Sequence, residues 1–310
     1  MTPELALTIF VAGIAAGTTF VLAAVGEIIT ERSGVLNLGI EGMMLVGAVT
    51  GFLVNAQVQE PWIGAAVAIL AGAIMGLIHA IFVVGFKTNQ VVTGLALVIF
   101  GSGLSGYLGT SVVGEPPPAT FDPIAIPGLS SIPILGRIFF DQDALVYASY
   151  LLIFAAWWFL FRTRPGLSLR SVGESPETAD AVGISVAKTR YLAVIVGGGF
   201  AGLAGAYLSL AQAPSWVPNM TQGRGWIAIA LVIFATWNPL RAALGGYLFG
   251  CVEALVFRLQ AVGVDISVFF LSMLPYLFTI AVLIVIARGN LTRRLAAPAA
   301  LGSTFVREDR

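Results

Sequence analysis

Apolar runs of about 20 residues recur along this chain, and each is long enough to cross the hydrocarbon core of a bilayer as a helix. Lipid offers no partner for backbone N–H and C=O groups, so a chain built from such runs folds as helices that satisfy those groups internally. Only 10% of the 310 residues are charged while 58% are apolar, and the mean hydropathy is +0.93, which excludes an ordinary soluble domain. The pattern predicts an all-α polytopic membrane protein, a single transmembrane domain over residues 1–310 with about nine transmembrane helices. The spans fall near Leu5–Val25, Leu36–Val54, Trp62–Phe86, Val91–Thr110, Ala144–Phe161, Tyr191–Ala211, Trp226–Trp237, Ala242–Phe257 and Val268–Ala287. No basic residue lies within Met1–Leu5, so the first run reads as a membrane helix rather than a cleaved secretory signal.

One long polar stretch, Arg162–Arg190, separates two strongly apolar runs. It carries Arg162, Arg164, Arg170, Lys188 and Arg190 together with Glu174, Glu177 and Asp180. Ser175 suits an N-cap, Pro176 the first helical position, Glu177 the positive helix end, and Gly183 the closing turn. These signals predict a helix of about two turns, lying along the membrane surface and offered to a partner; a plain solvated connector is the alternative. With this loop cytosolic, the N-terminus is external, and both the C-terminus and the tail 288–310 are cytosolic. Thirteen of the sixteen Lys and Arg residues then lie on the cytosolic side, all except Arg137, Arg224 and Arg258, as the positive-inside bias requires.

Two segments strain this scheme. Trp226–Trp237 is twelve residues long, about 18 Å as a helix and short of the hydrocarbon thickness. A re-entrant half-helix there would put the Arg-rich tail outside, so it is read as a true span extended by its polar N-terminal flank or shielded by neighbours. Residues 113–143 carry Pro116, Pro117, Pro118, Pro123, Pro127 and Pro133, which forbid a continuous helix; the expectation is an external flap lying on the bundle, with a short helix. The pairs Gly13/Gly17, Gly47/Gly51, Gly72/Gly76, Gly198/Gly202 and Gly246/Gly250 have the four-residue spacing that lets helix backbones approach, within the bundle or against a second subunit.

Several chemistries are excluded or unsupported. The formal net charge is zero, so there is no basic surface to suggest nucleic acid as a partner. A single cysteine, Cys251, allows no intrachain disulfide. The lone histidine, His79, lies in an apolar run and supports neither a catalytic triad nor a histidine metal site. Gly197–Gly202, GGGFAG, matches a dinucleotide fingerprint in form but sits within a helix with no preceding strand. No phosphate-binding loop of the GxxxxGK[ST] type occurs, so any ATP must be bound by another chain. Ionisable groups in the membrane remain. Glu41 falls in the second span with Asn37 one turn before it, and Glu253 and Arg258 share the eighth. Burying them unpaired costs several kcal/mol. For Glu41 a structural hydrogen bond and a transport role both stay open; for Glu253 and Arg258 a structural pair or a snorkelling arginine is expected.

The motifs as a set resemble those of permease subunits of ATP-binding-cassette importers of the branched-chain amino acid, ribose and nucleoside type. They are Gly26–Ala48 (GEIITERSGVLNLGIEGMMLVGA), Thr88–Leu97 (TNQVVTGLAL), Arg170–Arg190 (RSVGESPETADAVGISVAKTR), Gly223–Gly250 and Pro298–Gly302 (PAALG). The NLGIEGMM form is most similar to the purine-nucleoside and simple-sugar branch. The resemblance implies that Gly173–Gly183 is a coupling helix docking on a cytosolic ATPase, through Gly173, Glu174, Ser175, Pro176, Glu177, Ala179, Asp180 and Gly183. It implies a second permease subunit, often a related but different chain, an external substrate-binding protein, and a place in a prokaryotic inner membrane. ATP and magnesium would sit on the ATPase; this chain would bind no cofactor or metal and have no catalytic residues.

A nucleoside or simple sugar is neutral and polar, so its path needs amide, hydroxyl and aromatic partners with few fixed charges. The candidates are Asn37, Glu41, Asn89, Gln90, Thr93, Trp216, Asn219, Gln222 and Trp226. For Asn89 and Gln90 the competing reading is a helix cap, and for Trp216 and Trp226 it is anchoring at the membrane interface. Rival functions are an ion-coupled secondary transporter, a passive channel, and a permease for branched-chain amino acids.

Overall fold

A computed structural model describes residues 3–261 and 297–307, with Met273, Leu277, Ile280, Ala281 and Ile284 between them. Apart from those five positions, the expected span Val268–Ala287 and the first part of the tail lie outside the described residues. Eleven helices are described: α1 (Pro3–Glu31), α2 (Ile40–Val58), α3 (Pro61–Ala80), α4 (Gln90–Gly109), α5 (Leu135–Phe139), α6 (Ala144–Arg162), α7 (Arg164–Glu174), α8 (Pro176–Ala181), α9 (Val186–Tyr207), α10 (Arg224–Phe234) and α11 (Pro239–Ala261). Single π turns prolong α3 over Ile81–Gly85 and α9 over Leu208–Gln212. Seven of these helices, α1, α2, α3, α4, α6, α9 and α11, are long and apolar enough to cross a membrane. Of the nine expected spans, seven are full-length helices among the described residues, an eighth is the short apolar α10, and the ninth, apart from those five positions, lies outside the described residues.

α9 is the axis of the bundle, packed against α1, α2 and α3, while α11 lies along α1. Glycine sets these approaches. A methyl added at Gly47 would run into the backbone of Gly202, and one at Gly72 into Gly198 and Gly202. Gly13 and Gly17 of α1 meet Gly246, Gly250 and Cys251 of α11 in the same way. All five four-residue glycine pairs therefore serve helix packing inside this chain. The GGGFAG stretch is part of it, wedged against α1 and α3.

The polar punctuation works locally. Asn89, Asp143, Thr163, Ser175 and Ser185 each cap the helix that follows with a side-chain oxygen. Residues 113–143 form a short antiparallel pair, β1 (Pro123–Ala125) with β2 (Asp141–Asp143), beside the one-turn α5. This segment is tied to the helix ends beneath it: Asn55 Nδ2 donates to Ala119 O at 2.7 Å, and Gln142 Nε2 to Val11 O at 3.2 Å. It marks one face of the bundle, here the distal face; α7 and α8 mark the opposite face, here named the coupling face after the role that the resemblance implies.

Three sequence expectations change. The first helix runs past Val25 to Glu31 because its carboxylates find partners inside the fold: Glu27 Oε1 accepts from Asn37 N at 3.1 Å, and Glu31 Oε2 from Trp237 Nε1 at 2.5 Å. Asn37 is not a helical neighbour of Glu41: residues 32–39 are an irregular loop, and α2 begins at Ile40. Glu253 does not pair with Arg258. Its buried partner is Arg224, which the sequence reading had placed outside the bilayer.

Candidate functional site

The expected span at Trp226–Trp237 is where the fold departs most from a regular bundle. The chain leaves α9 on the distal face, where Val113 bridges Trp216 and Gly114 N donates to Trp216 O at 3.1 Å. It then descends without helix through residues 213–223, and α10 covers only the half of the bundle nearer the coupling face, eleven residues or about 16 Å. The segment runs between the two faces as a leg of turns followed by a half-helix. Such non-helical backbone is tolerated at membrane depth only where protein buries it or water reaches it.

Glu41 makes this break stable. It sits in the first turn of α2, where Gly42 packs on Leu97, Val98 and Gly101 halfway along α4. Only 6% exposed, its carboxylate accepts from Thr221 Oγ1 at 2.6 Å and Gly223 N at 2.8 Å through one oxygen, and from Gly225 N at 2.6 Å through the other. A carboxylate at a helix N-terminus satisfies the orphan N–H groups and meets the positive end of the dipole. Arg224, next in the turn, pairs with Glu253 of α11 and donates to Met220 O. The structural hydrogen bonds of Glu41 thus run to two backbone N–H groups and a hydroxyl on a segment 180 residues away rather than to Asn37.

Above this clamp the turn presents polar groups. Asn219 and Gln222 adopt positive φ of 55° and 47° and are exposed, Asn219 level with the middle of α4. Asn219 Oδ1 accepts from Ser102 Oγ of α4 at 2.8 Å, and Trp226, at the start of α10, is 37% exposed. Polar side chains open to the surface at this depth want water, solute or a partner chain rather than lipid.

The other end of α10 is held at the coupling face. Arg32 Nε donates to Trp237 O at 3.2 Å and its Nη2 to Thr236 O at 3.4 Å, so a cation caps the negative end of the half-helix. Burial lowers the Arg32 pKa below its ordinary value, with the Glu174 carboxylate opposing that shift and Arg170 adding to it. Arg32 in turn lies against Gly173 at the end of α7, where a methyl would strike its carbonyl.

The coupling segment divides into an anchored side and a presented side. Gly173, Pro176 and Ala179 are buried, the last in a small core with Val172, Val186, Ile184 and Phe305. Ser175 caps α8, with its hydroxyl donating to Thr178 Oγ1 at 2.7 Å, and Gly183 closes the turn at φ +87°. The helix that the capping residues predicted is present, six residues long. The tail doubles back over it: Ala300 N donates to Gly173 O at 2.9 Å, Ala299 N to Glu174 Oε2 at 3.3 Å, and Arg307 pairs with Asp180 at 3.1 Å. The same tail reaches the core, since Gly302 N donates to Gly34 O and Ser303 O accepts from Arg190 Nη1 and Gln90 Nε2. Left on the surface are Glu177, Thr178, Ala181, Gly183 and Val182, the last 71% exposed.

These features describe a helical bundle with a long capped polar loop at one face, and comparison with known proteins gives it a family. Residues 9–287 match the family described as the permease component of the branched-chain amino acid transport system. The chain belongs to that family. The "Putative glucose ABC transporter permease protein TsgC13" of Haloferax volcanii is 44% identical, covering 96% of this chain and 97% of its own. The guanosine ABC transporter permease protein NupQ of Bacillus subtilis is 35% identical over 94% and 93%, and the nucleoside ABC transporter permease protein NupC of Lactococcus lactis 34% over 86% and 88%. No solved structure matches the chain. As a permease of this family it is a multi-pass inner-membrane transporter subunit, not an enzyme, and ATP hydrolysis belongs to a separate subunit.

Within the permease the nine sequence-derived path residues part company. Asn219, Gln222 and Trp226 are all exposed within eight residues of chain, the first two on the turn and Trp226 at the start of α10. Glu41 stands behind them, and Asn37, buried, clamps the 32–39 loop by accepting from Gly39 N at 3.0 Å. Asn89 caps α4, and Thr93 bonds back to Asn89 O. Gln90 is buried and accepts from Leu36 N at 2.7 Å. Trp216 is neither on a path nor an interface anchor: it is fully buried beneath the distal segment, against Gly109. Sequence reasoning missed Glu27, Glu31, Arg32, Arg190, Thr221 and Ser102. The one available signal was the motif Gly26–Ala48 itself, dense in polar residues yet flanked by apolar helix.

Proposed function

We propose that this permease forms half of the translocation path of an ATP-driven importer for a small neutral polar solute, a nucleoside or simple sugar. The observation that carries the reading is the exposed Asn219–Gln222–Trp226 turn beside the middle of α4, neutral and backed by the buried Glu41 clamp. Amides and an indole face suit a ring bearing hydroxyls. The neutral turn favours such solutes over branched-chain amino acids, whose ammonium and carboxylate groups want charged partners. The guanosine, nucleoside and glucose permeases it is similar to support the same substrate class.

In this reading the loop 162–190 and the tail face the cytosol, the N-terminus and residues 113–143 face outward, and a cytosolic ATPase docks on Glu177, Thr178, Ala181, Val182 and Gly183. A second permease completes the path across the Ser102–Asn219 surface, and an external binding protein delivers solute to the distal face. Movement of α8 reaches the turn through Gly173, Arg32 and α10, a rigid element clamped at both ends, as rocking between two packed states requires. The test is reconstitution of the complex in liposomes with ATP inside or outside, following labelled guanosine and glucose. Solute entry that needs ATP on the coupling-loop side and is lost in Asn219→Leu/Gln222→Leu supports the reading. Entry driven by an ion gradient without ATP, or unaffected by the double change, overturns it.

A further inference from the structure

A second feature of the permease lies away from this path. α6, α7 and α9 enclose a cleft of about 750 Å³ that opens at the coupling face. Its depth is walled by Ile29, Leu152, Ala155, Phe159, Leu192 and Phe200, and its mouth carries Arg164 and Lys188 with the hydroxyls of Ser168, Ser185 and Thr189. Among the described residues no carboxylate lines it. Arg164 and Lys188 are both exposed and make no ion pair among the described residues.

We infer that this cleft seats one anionic phospholipid of the coupling-side leaflet, with its phosphate at Arg164 and Lys188 and one acyl chain along α9. Two independent observations select this occupant. The first is charge: two cations with no ion pair and no carboxylate in the lining among the described residues favour an anionic head group, and helices α7 and α9 both begin at the mouth, adding their positive ends. The second is depth. From Lys188 to Phe200 along α9 the wall rises about 18 Å, close to half of the roughly 30 Å hydrocarbon core, which is the reach of a single leaflet's chain. A docking protein segment would leave such an apolar interior to be filled by its own side chains and would place no premium on a basic rim.

The test uses the full-length permease with the subunits that co-purify with it, exchanged into nanodiscs of phosphatidylcholine containing a minor share of phosphatidylglycerol, then extracted and scored for retained lipid by native mass spectrometry. About one phosphatidylglycerol per permease chain is expected. Each cation near an anionic head group is worth about fivefold in binding, so Arg164→Gln/Lys188→Gln should reduce the preference for phosphatidylglycerol about thirtyfold. Both residues are exposed, so the variant folds. Ala155→Trp, which fills the cleft, should abolish retention of either lipid, with an unchanged melting temperature as its control. Equal retention of phosphatidylcholine, an unchanged preference in the double variant, or a photo-crosslinker at Leu192 that captures a protein subunit instead of lipid each overturns the inference.

Discussion

Replacing Glu41 by alanine tests whether the broken helix depends on a single carboxylate. The change removes the acceptor of three hydrogen bonds, from Thr221 Oγ1, Gly223 N and Gly225 N. Bonds to a charged acceptor contribute about 1.5–3 kcal/mol each, but the three losses are unequal. Gly223 is only half-buried, so water can replace its partner, whereas Thr221 and Gly225 are sealed and their donors stay unsatisfied. The net cost is about 3–5 kcal/mol, in the range of a buried network broken at one member. For a chain of this length that corresponds to a fall in melting temperature of about 5–8 °C, measurable on the purified permease in detergent. Uptake should fall as well while assembly persists, because Asn219 and Gln222 lose the frame that presents them. Glu41→Gln should lie between, since its amide accepts at one oxygen but opposes an N–H donor at the other. A melting temperature within 1 °C of the parent together with normal uptake would sink the argument.

The buried Arg224–Glu253 pair gives a second measurement: Glu253→Gln or Arg224→Met alone should cost about 3–5 kcal/mol, while Arg224→Met/Glu253→Leu should cost less than either, read by thermal unfolding. Glycines divide by what surrounds them. Gly47→Ala forces α2 off Gly202 of α9 and should cost about 2–3 kcal/mol, whereas at Gly103 nothing lies within 4 Å and Gly103→Ala should stabilise by about 0.5–1 kcal/mol. Val182→Asp, at an exposed position on the docking side, should leave unfolding within about 0.5 kcal/mol of the parent and lower ATP-dependent uptake about tenfold or more; a full rate of uptake would place the ATPase elsewhere.

Legibility followed the range of the interactions. The capping of α8 by Ser175, Pro176 at its start and the turn at Gly183 were readable because each involves residues within three or four positions. Its neighbour α7 has the same local marks, Thr163 as cap and Pro165 in the first turn, and was passed over inside a stretch read as polar loop. The path residues were less legible. Asn37 looked helical because the apolar run begins at Leu36, yet Gly39, held by the Asn37 side chain, delays the helix to Ile40. Trp216 looks like an interfacial anchor because hydropathy cannot report that Val113 and Gly114 pair with it.

What the amino-acid sequence determined by itself is the environment: a run of some twenty apolar residues has one stable arrangement in lipid, and five glycine pairs at four-residue spacing fix where helices can touch. The tertiary structure alone decided what each buried charge does. Glu41 finds its donors 180 residues on, Glu31 finds Trp237, Glu253 finds Arg224, and the tail returns from residue 299 to hold Glu174. A carboxylate in a membrane must be satisfied, but which donor satisfies it depends on which backbone arrives beside it, and that is set only when the helices have packed.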